Sequence, residues 1–228
     1  MIPPVDSRID HIRYRTDLFS RPKEATREFV QSPPWLAEHI SQGIARKLLP
    51  QPPASVLDLG CGNGYAAVLF AAHGYRAHGI DLQESLVERA QRASEELARQ
   101  DVIVPARFAV GNYLPAAVRK RSAKAQHVLL EETADAYSSL GKRPEEFDLF
   151  FVYPFPNQME SVFDLFTSSA RAGAYLMALG DDVDWSAHPP RELVHLGTQE
   201  LQSADEDILH LRRSYTVYQK PTSAKQRQ

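Results

Sequence analysis

The run Val56-Leu57-Asp58-Leu59-Gly60-Cys61-Gly62-Asn63-Gly64 joins a strand-like apolar stretch to a turn with glycine at three alternate positions. Glycine tolerates backbone conformations closed to other residues and carries no Cβ to block a ligand, so such a turn at a strand end suits cofactor binding. Asp58 lies at the foot of the turn, and a second acid, Asp81, closes the next strand-like run, Gly79-Ile80-Asp81-Leu82. A carboxylate there can accept both hydroxyl protons of a ribose, and a charged acceptor makes stronger hydrogen bonds than a neutral one. The plainer alternatives are a tight strand-to-helix turn for Asp58–Gly64 and a helix N-cap for Asp81.

The spacing narrows the ligand. A dinucleotide-binding loop, G-x-G-x-x-G, needs its third glycine at position 65, where this chain has Tyr65. There is no G-x-x-x-x-G-K-[ST] phosphate loop either, which points to a cofactor without phosphates. Cys61 reads as a small residue fitting the turn, because no histidine near it in sequence would activate the thiol. The eight histidines show no H-x-x-x-H or similar spacing, so no metal is expected. Arg119-Lys120-Arg121 with Lys124 is followed closely by Glu131, Glu132 and Asp135, the mixture of a solvated helix face.

These residues need strands and helices to present them, and the chain alternates apolar β-prone runs with helical ones, as βαβ units do. Strands are expected at Ser55–Leu59, Tyr75–Asp81, Ile103–Val110, Phe147–Val152 and Ala174–Leu179, and helices at Tyr65–His73, Glu84–Gln100 and Met159–Ala170. In the second helix Leu86, Val87, Ala90, Ala93 and Leu97 repeat at the spacing of one face. Glu192–Leu196 and Ser214–Gln219 are expected to form a closing antiparallel pair. The fold class is therefore α/β, a Rossmann-like three-layer sandwich on a mostly parallel sheet with an antiparallel C-terminal strand. Residues 1–51 are expected as an N-terminal helical lid, with helices at Lys23–Val30 and Trp35–Leu49, residues 52–220 as the cofactor-binding domain, and 221–228 as a flexible tail. Leu114–Glu146 exceeds a usual connection of ~2–6 residues and is expected to carry a helix near Ala125–Leu140. With residues 1–51 it would shape an acceptor site, bringing Tyr14 or Trp35 over it.

Over Ser55–Gly180 these features resemble the class I S-adenosylmethionine-dependent methyltransferases. The resemblance implies S-adenosyl-L-methionine as cofactor and a methyl acceptor that the sequence does not name. It implies that Asp58 orders the glycine loop and the methionine amino group, that the turn at Gly60, Cys61, Gly62, Asn63 and Gly64 faces the cofactor, that Asp81 holds the ribose, and that Leu82 packs on adenine. Asn112 and Tyr113 fill the place after the third strand that meets the adenine amino group, Asn112 replacing the commoner Asp; an amide offers both an acceptor and a donor there. Asp148–Asn157 occupies the fourth-strand motif but departs from the [DNS]-P-P-[YFW] pattern of amino-group methyltransferases: Tyr153 stands where a polar residue belongs, and Phe155 breaks the Pro-Pro pair. Tyr153 would still face the sulfonium, and Tyr153 and Asn157 are the candidates for a catalytic role. An aminopropyl transferase-like enzyme, hinted at by Gly180-Asp181-Asp182-Val183-Asp184, and a non-catalytic binding protein are the rival readings.

Composition sets the outer bounds. The 228 residues suit one large domain, and 43% hydrophobic with 24% charged residues is an ordinary globular mixture. One cysteine removes any intramolecular disulfide, and the polar Met1–Asp10 has no apolar targeting run, so a cytoplasmic location without membrane association is expected. A net charge of −3 gives no global attraction to nucleic acid, which favours a small-molecule or protein acceptor.

Overall fold

A computed structural model describes residues 4–20, 54–121, 136–154, 158–181, 189–201 and 213–222. Within them run α1 (Val5–Tyr14), a 3-10 turn (Thr16–Phe19), β1 (Ser55–Leu59), α2 (Tyr65–Ala72), β2 (Arg76–Asp81), α3 (Glu84–Arg99), β3 (Arg107–Val110), α4 (Ala116–Arg121), α5 (Ala136–Leu140), β4 (Leu149–Val152), α6 (Met159–Ser169), β5 (Tyr175–Asp181), β6 (Val194–Leu201) and β7 (Arg213–Gln219). The seven strands form one sheet in the order β3-β2-β1-β4-β5-β7-β6. β1 pairs in parallel with β2 and β4, β2 with β3, and β4 with β5, while β7 runs antiparallel between β5 and β6. This is the expected Rossmann-like sandwich.

Strands buried on both faces read as near-continuous apolar runs; β4 is apolar throughout, and β1 is apart from the buried Ser55 and Asp58. Period-two alternation then sorts their side chains: Val56, Leu149 and Phe151 face a core shared with α1, α2 and part of α3, whereas Leu57, Leu59, Phe150 and Val152 face one shared with α4, α5 and α6. All eight residues of α2 are buried. An apolar face on every side requires cover beyond the sheet, and the cover is α1, whose Ile9 and Ile12 are completely buried in the same core.

Several elements differ from expectation: β4 begins at Leu149, not Phe147, β5 runs on to Asp181, and α4 was not anticipated. The third strand begins at Arg107, not Ile103, because Pro105 cannot donate to a ladder and the Ala106 N–H bonds instead to Ser94 Oγ on α3 at 2.8 Å. Val102, Ile103 and Ala106 are nonetheless buried, which accounts for their strand-like composition. β6 starts two residues late and continues to Leu201, with a register shift between His195 and Gly197. α1 was not anticipated. The expected helices at Lys23–Val30 and Trp35–Leu49 lie outside the described residues, as do 122–135 of the insertion and 223–228 of the tail. What is described of the insertion holds α4 and α5 on either side of that gap. No described helix is long and apolar enough to cross a membrane.

Candidate cofactor site at the carboxyl edge of the sheet

β1 and β4 are adjacent, and the chain leaves them to opposite sides: β2 lies beyond β1 and β5 beyond β4. Ligands of open α/β sheets bind at such a switch point, outside the carboxyl ends of the strands. The glycine turn stands there. Gly60, Gly62 and Gly64 have φ of 74°, 54° and 80°, the left-handed region that glycine enters without steric cost. Their roles nevertheless differ. A Cβ built on Gly60 would meet nothing within 4 Å, whereas one on Gly64 would fall 2.6 Å from Ala90 Cβ and 2.9 Å from Phe108 Cζ. Gly60 therefore opens the turn toward the space above the sheet, and Gly64 lets the turn seat against α3 and β3.

The turn is tied to β2 by its backbone. The N–H groups of Gly60 and Cys61 both donate to the Ile80 carbonyl, at 2.9 and 3.0 Å. Asp81 completes the attachment: one carboxylate oxygen accepts from the Gly62 N–H at 2.9 Å and the other from the Gln83 N–H at 2.9 Å. The N-cap of α3 is Gln83, not Asp81; the acid instead shapes the turn while remaining half-buried at its rim. Leu82 beside it is also half-buried.

Asp58 is buried directly beneath, where the Ala67 N–H of α2 supports its carboxylate. Burial, and then the nearby charge of Asp81, push its carboxyl up to about 8 despite that bond. Asp81 is also raised by burial, against the opposing N–H groups of Gln83, Gly62 and Leu82. No lysine, arginine or histidine among the described residues neighbours either acid. Two desolvated carboxylates without a cation are costly, and a positively charged ligand would relieve that cost. Burial and both acids push the Cys61 thiol up, so it is no thiolate nucleophile; its Cβ and Sγ instead fill the gap left by the missing side chain of Gly79.

The loop after β3 adds polar atoms. Asn112 is buried, and its Oδ1 accepts from the Leu114 N–H at 2.8 Å. Tyr113 is buried too; its backbone carbonyl accepts from the Tyr137 hydroxyl at 2.8 Å, while its own hydroxyl is enclosed without a hydrogen-bond partner and is raised by burial and by the charge of Asp81. An orphaned buried hydroxyl beside Asp81 fits a polar ligand at this edge.

The remaining sequence-named residues divide. Tyr153 is half-buried just past β4, packed against the core on the α2 side. Phe155, Asn157, Trp35 and the acidic run after Asp181 lie outside the described residues. Tyr14 is 84% exposed, so it does not cover the site. Asn63 is buried, with its side-chain amide donating to the backbone carbonyl of Phe19. No sequence signal links those two residues, but the all-apolar α2 signals that some segment must cover it.

Residues 56–131 match the family model described as a methyltransferase domain. No curated protein matches the chain. Among solved structures, it resembles an RNA methyltransferase from Salinibacter ruber in complex with S-adenosyl-L-homocysteine, at 15% identity over 85% of this chain and 95% of that one, TM-score 0.55. A predicted O-methyltransferase from Agrobacterium tumefaciens aligns at 14% identity over 81% and 80%, TM-score 0.59. An O-methyltransferase from Bacillus cereus, in complex with the same homocysteine product, aligns at 13% identity over 96% and 93%, TM-score 0.56. The matched segment forms the glycine turn and first strands of this sheet, so the chain carries a match to a methyltransferase domain over those residues and shares the fold of solved methyltransferases.

Proposed function

We propose that this protein transfers a methyl group from S-adenosyl-L-methionine to a small molecule or a protein side chain, an activity of the EC 2.1.1 class. The observation that carries the reading is the pair of carboxylates, Asp58 buried and Asp81 half-buried, standing among the described residues without a cation around a glycine turn that opens at Gly60. Asp58 would receive the amino group of the methionine moiety and Asp81 the ribose hydroxyls. Leu82 would line the adenine, with Asn112 and Tyr113 at its polar edge and Tyr153 at the sulfonium. When bound, the cofactor supplies a methyl group already activated by the positively charged sulfur.

The protein's share of the chemistry is then mainly positioning, for which well-oriented juxtaposition is worth up to ~7–11 kcal/mol. The sheet fixes Asp58, and the turn is clamped at Gly60, Cys61 and Gly62, so the pocket wall is set before any ligand enters. A thiol, carboxylate or neutral amine acceptor would need no base; a hydroxyl would. The overall charge of −3 supports an acceptor other than nucleic acid. Calorimetry with S-adenosyl-L-homocysteine tests the cofactor, with micromolar or tighter binding expected. A labelled-methyl screen against metabolite, peptide and RNA pools tests the acceptor. Label appearing in RNA alone would overturn the acceptor class, and absence of binding would overturn the whole reading.

A further inference from the structure

Asn63 belongs to the glycine turn, yet its side chain points away from the opening at Gly60 and into the N-terminal segment, where it donates to the Phe19 carbonyl. Its neighbours hold it in that pose. The Gly62 N–H is fixed by the Asp81 carboxylate, and Gly64 is wedged against Ala90 and Phe108. Around this bond the 3-10 turn is seated by two more contacts. The Phe19 ring meets Tyr65, the first residue of α2, edge-on at 5.0 Å and 81°, and Arg89 of α3 donates to Ser20 Oγ at 3.0 Å and to the Asp17 carbonyl at 3.5 Å. Phe19, Asn63 and Tyr65 are all buried. The segment therefore docks on the start of α2, on α3 and on the cofactor turn itself, and Asn63 alone supplies the last of these contacts among the bonds described.

We infer that Asn63 is a positioning residue that couples the cofactor turn to residues 16–20, so that docking of the N-terminal segment and occupancy of the cofactor site reinforce each other. This rests on the cofactor reading above. The physical link is short: a ligand engaging Asp81 acts on the acid that holds Gly62, and Gly62 precedes the residue that grips Phe19. Linkage makes the coupling reciprocal, because whatever factor the docked segment adds to cofactor affinity the cofactor must return to docking.

Hydrogen exchange of the full-length protein, with and without S-adenosyl-L-homocysteine, reads docking of residues 16–20 directly, and calorimetry on the same samples reads affinity. Ligand should slow exchange in 16–20 in the wild type. Asn63→Ala should abolish that ligand-dependent protection, and Arg89→Ala, on the far side of the segment and outside the turn, should reduce affinity by about 5-fold or more through undocking alone. Restoring a donor with Asn63→Gln should recover part of the protection. If Asn63→Ala fails to fold, Arg89→Ala decides. Binding with exchange in 16–20 unchanged by ligand, or full affinity in Arg89→Ala, would overturn the coupling. No binding by the wild type would instead overturn the cofactor assignment.

Discussion

At the amino edge of the sheet, Asp148 accepts the Ser55 N–H at 2.7 Å through one oxygen and the Arg171 guanidinium through the other. At the carboxyl edge, Asp58 and Asp81 have backbone donors, and Asp58 feels the charge of Asp81, with no cationic side chain beside them among the described residues. The same fold thus completes one half-buried carboxylate and leaves Asp58 and Asp81 incomplete. Asp148 staples the starts of β1 and β4 to the loop before β5, and its interactions are satisfied by the chain alone. The two acids across the sheet lie where burial disfavours their charged forms, which costs the ligand-free protein stability as they ionise and lets a cationic ligand favour the ionised pair. Self-sufficiency marks the structural acid, and incompleteness marks the two proposed to meet the cofactor.

The contrast can be broken most forcefully at Gly64→Val. A branched side chain at φ 80°, with its Cβ 2.6 Å from that of Ala90, combines overpacking with backbone strain and should cost about 3 kcal/mol or more in denaturant unfolding. A wild-type midpoint would mean that the turn is not wedged. Asp81→Ala and Asp148→Ala should then separate the edges. The first should weaken S-adenosyl-L-homocysteine binding by about 1.5–3 kcal/mol. The second should leave binding unchanged and lower stability by about 1–3 kcal/mol, since it strands the part-buried Ser55 N–H. Exchanged phenotypes in calorimetry and unfolding would dissolve the distinction.

A pH series sharpens it. Asp58 is raised in the folded state, so its contribution to ligand-free stability is fully present below its ordinary value near 3.8 and is lost as pH climbs toward about 8. Asp81 is shifted in the same direction. The melting temperature of the ligand-free protein should carry a component that falls from pH 4 to 8. Affinity for the cofactor should rise over the upper part of that range by up to about 1.4 kcal/mol per pH unit and level off above 8, with proton release on binding. Calorimetry in buffers of differing ionisation enthalpy checks the sign, and proton uptake would refute it. The smallest effect is expected at Lys220→Met. Lys220 Nζ donates to the carbonyls of Thr167, at 2.8 Å, and Ala170, at the end of α6. Its loss should cost about 0.5–1.5 kcal/mol, measured as a melting shift with no change in ligand affinity.

The βα register of the core was legible because burial on one or both faces imposes its period on the sequence. Expected and observed ends of β2, α2, α3 and α6 agree within a residue or so. Apolar content alone misled at Ile103–Ala106, where burial is served by a loop crossing α3 and Pro105 forbids the ladder. α1 was hidden for the opposite reason: two isoleucines three apart are too few to set a period, and their burial depends on the outer face of α2. In the site, glycine spacing and strand-ending acids were readable as local chemistry. The partner of Asn63 was not, since it lies 44 residues away and is a backbone atom with no residue type to betray it.

The turn's dependence on β2 also governs when the site comes into being. Its first two N–H groups donate to Ile80 and its third to Asp81, so Gly60–Gly64 cannot hold its shape until residues 76–81 have paired with β1. β1 must wait longer still for its other neighbour, because Val56 aligns with Leu149. A chain emerging from the ribosome in order therefore carries an apolar strand with one edge unsatisfied while some ninety residues are translated, about 5–20 s at ordinary elongation rates. Pairings of such separation fold slowly. For that interval Val56–Leu59 is a sticky edge, and the first segment of the binding turn to be synthesised is among the last to be sheltered.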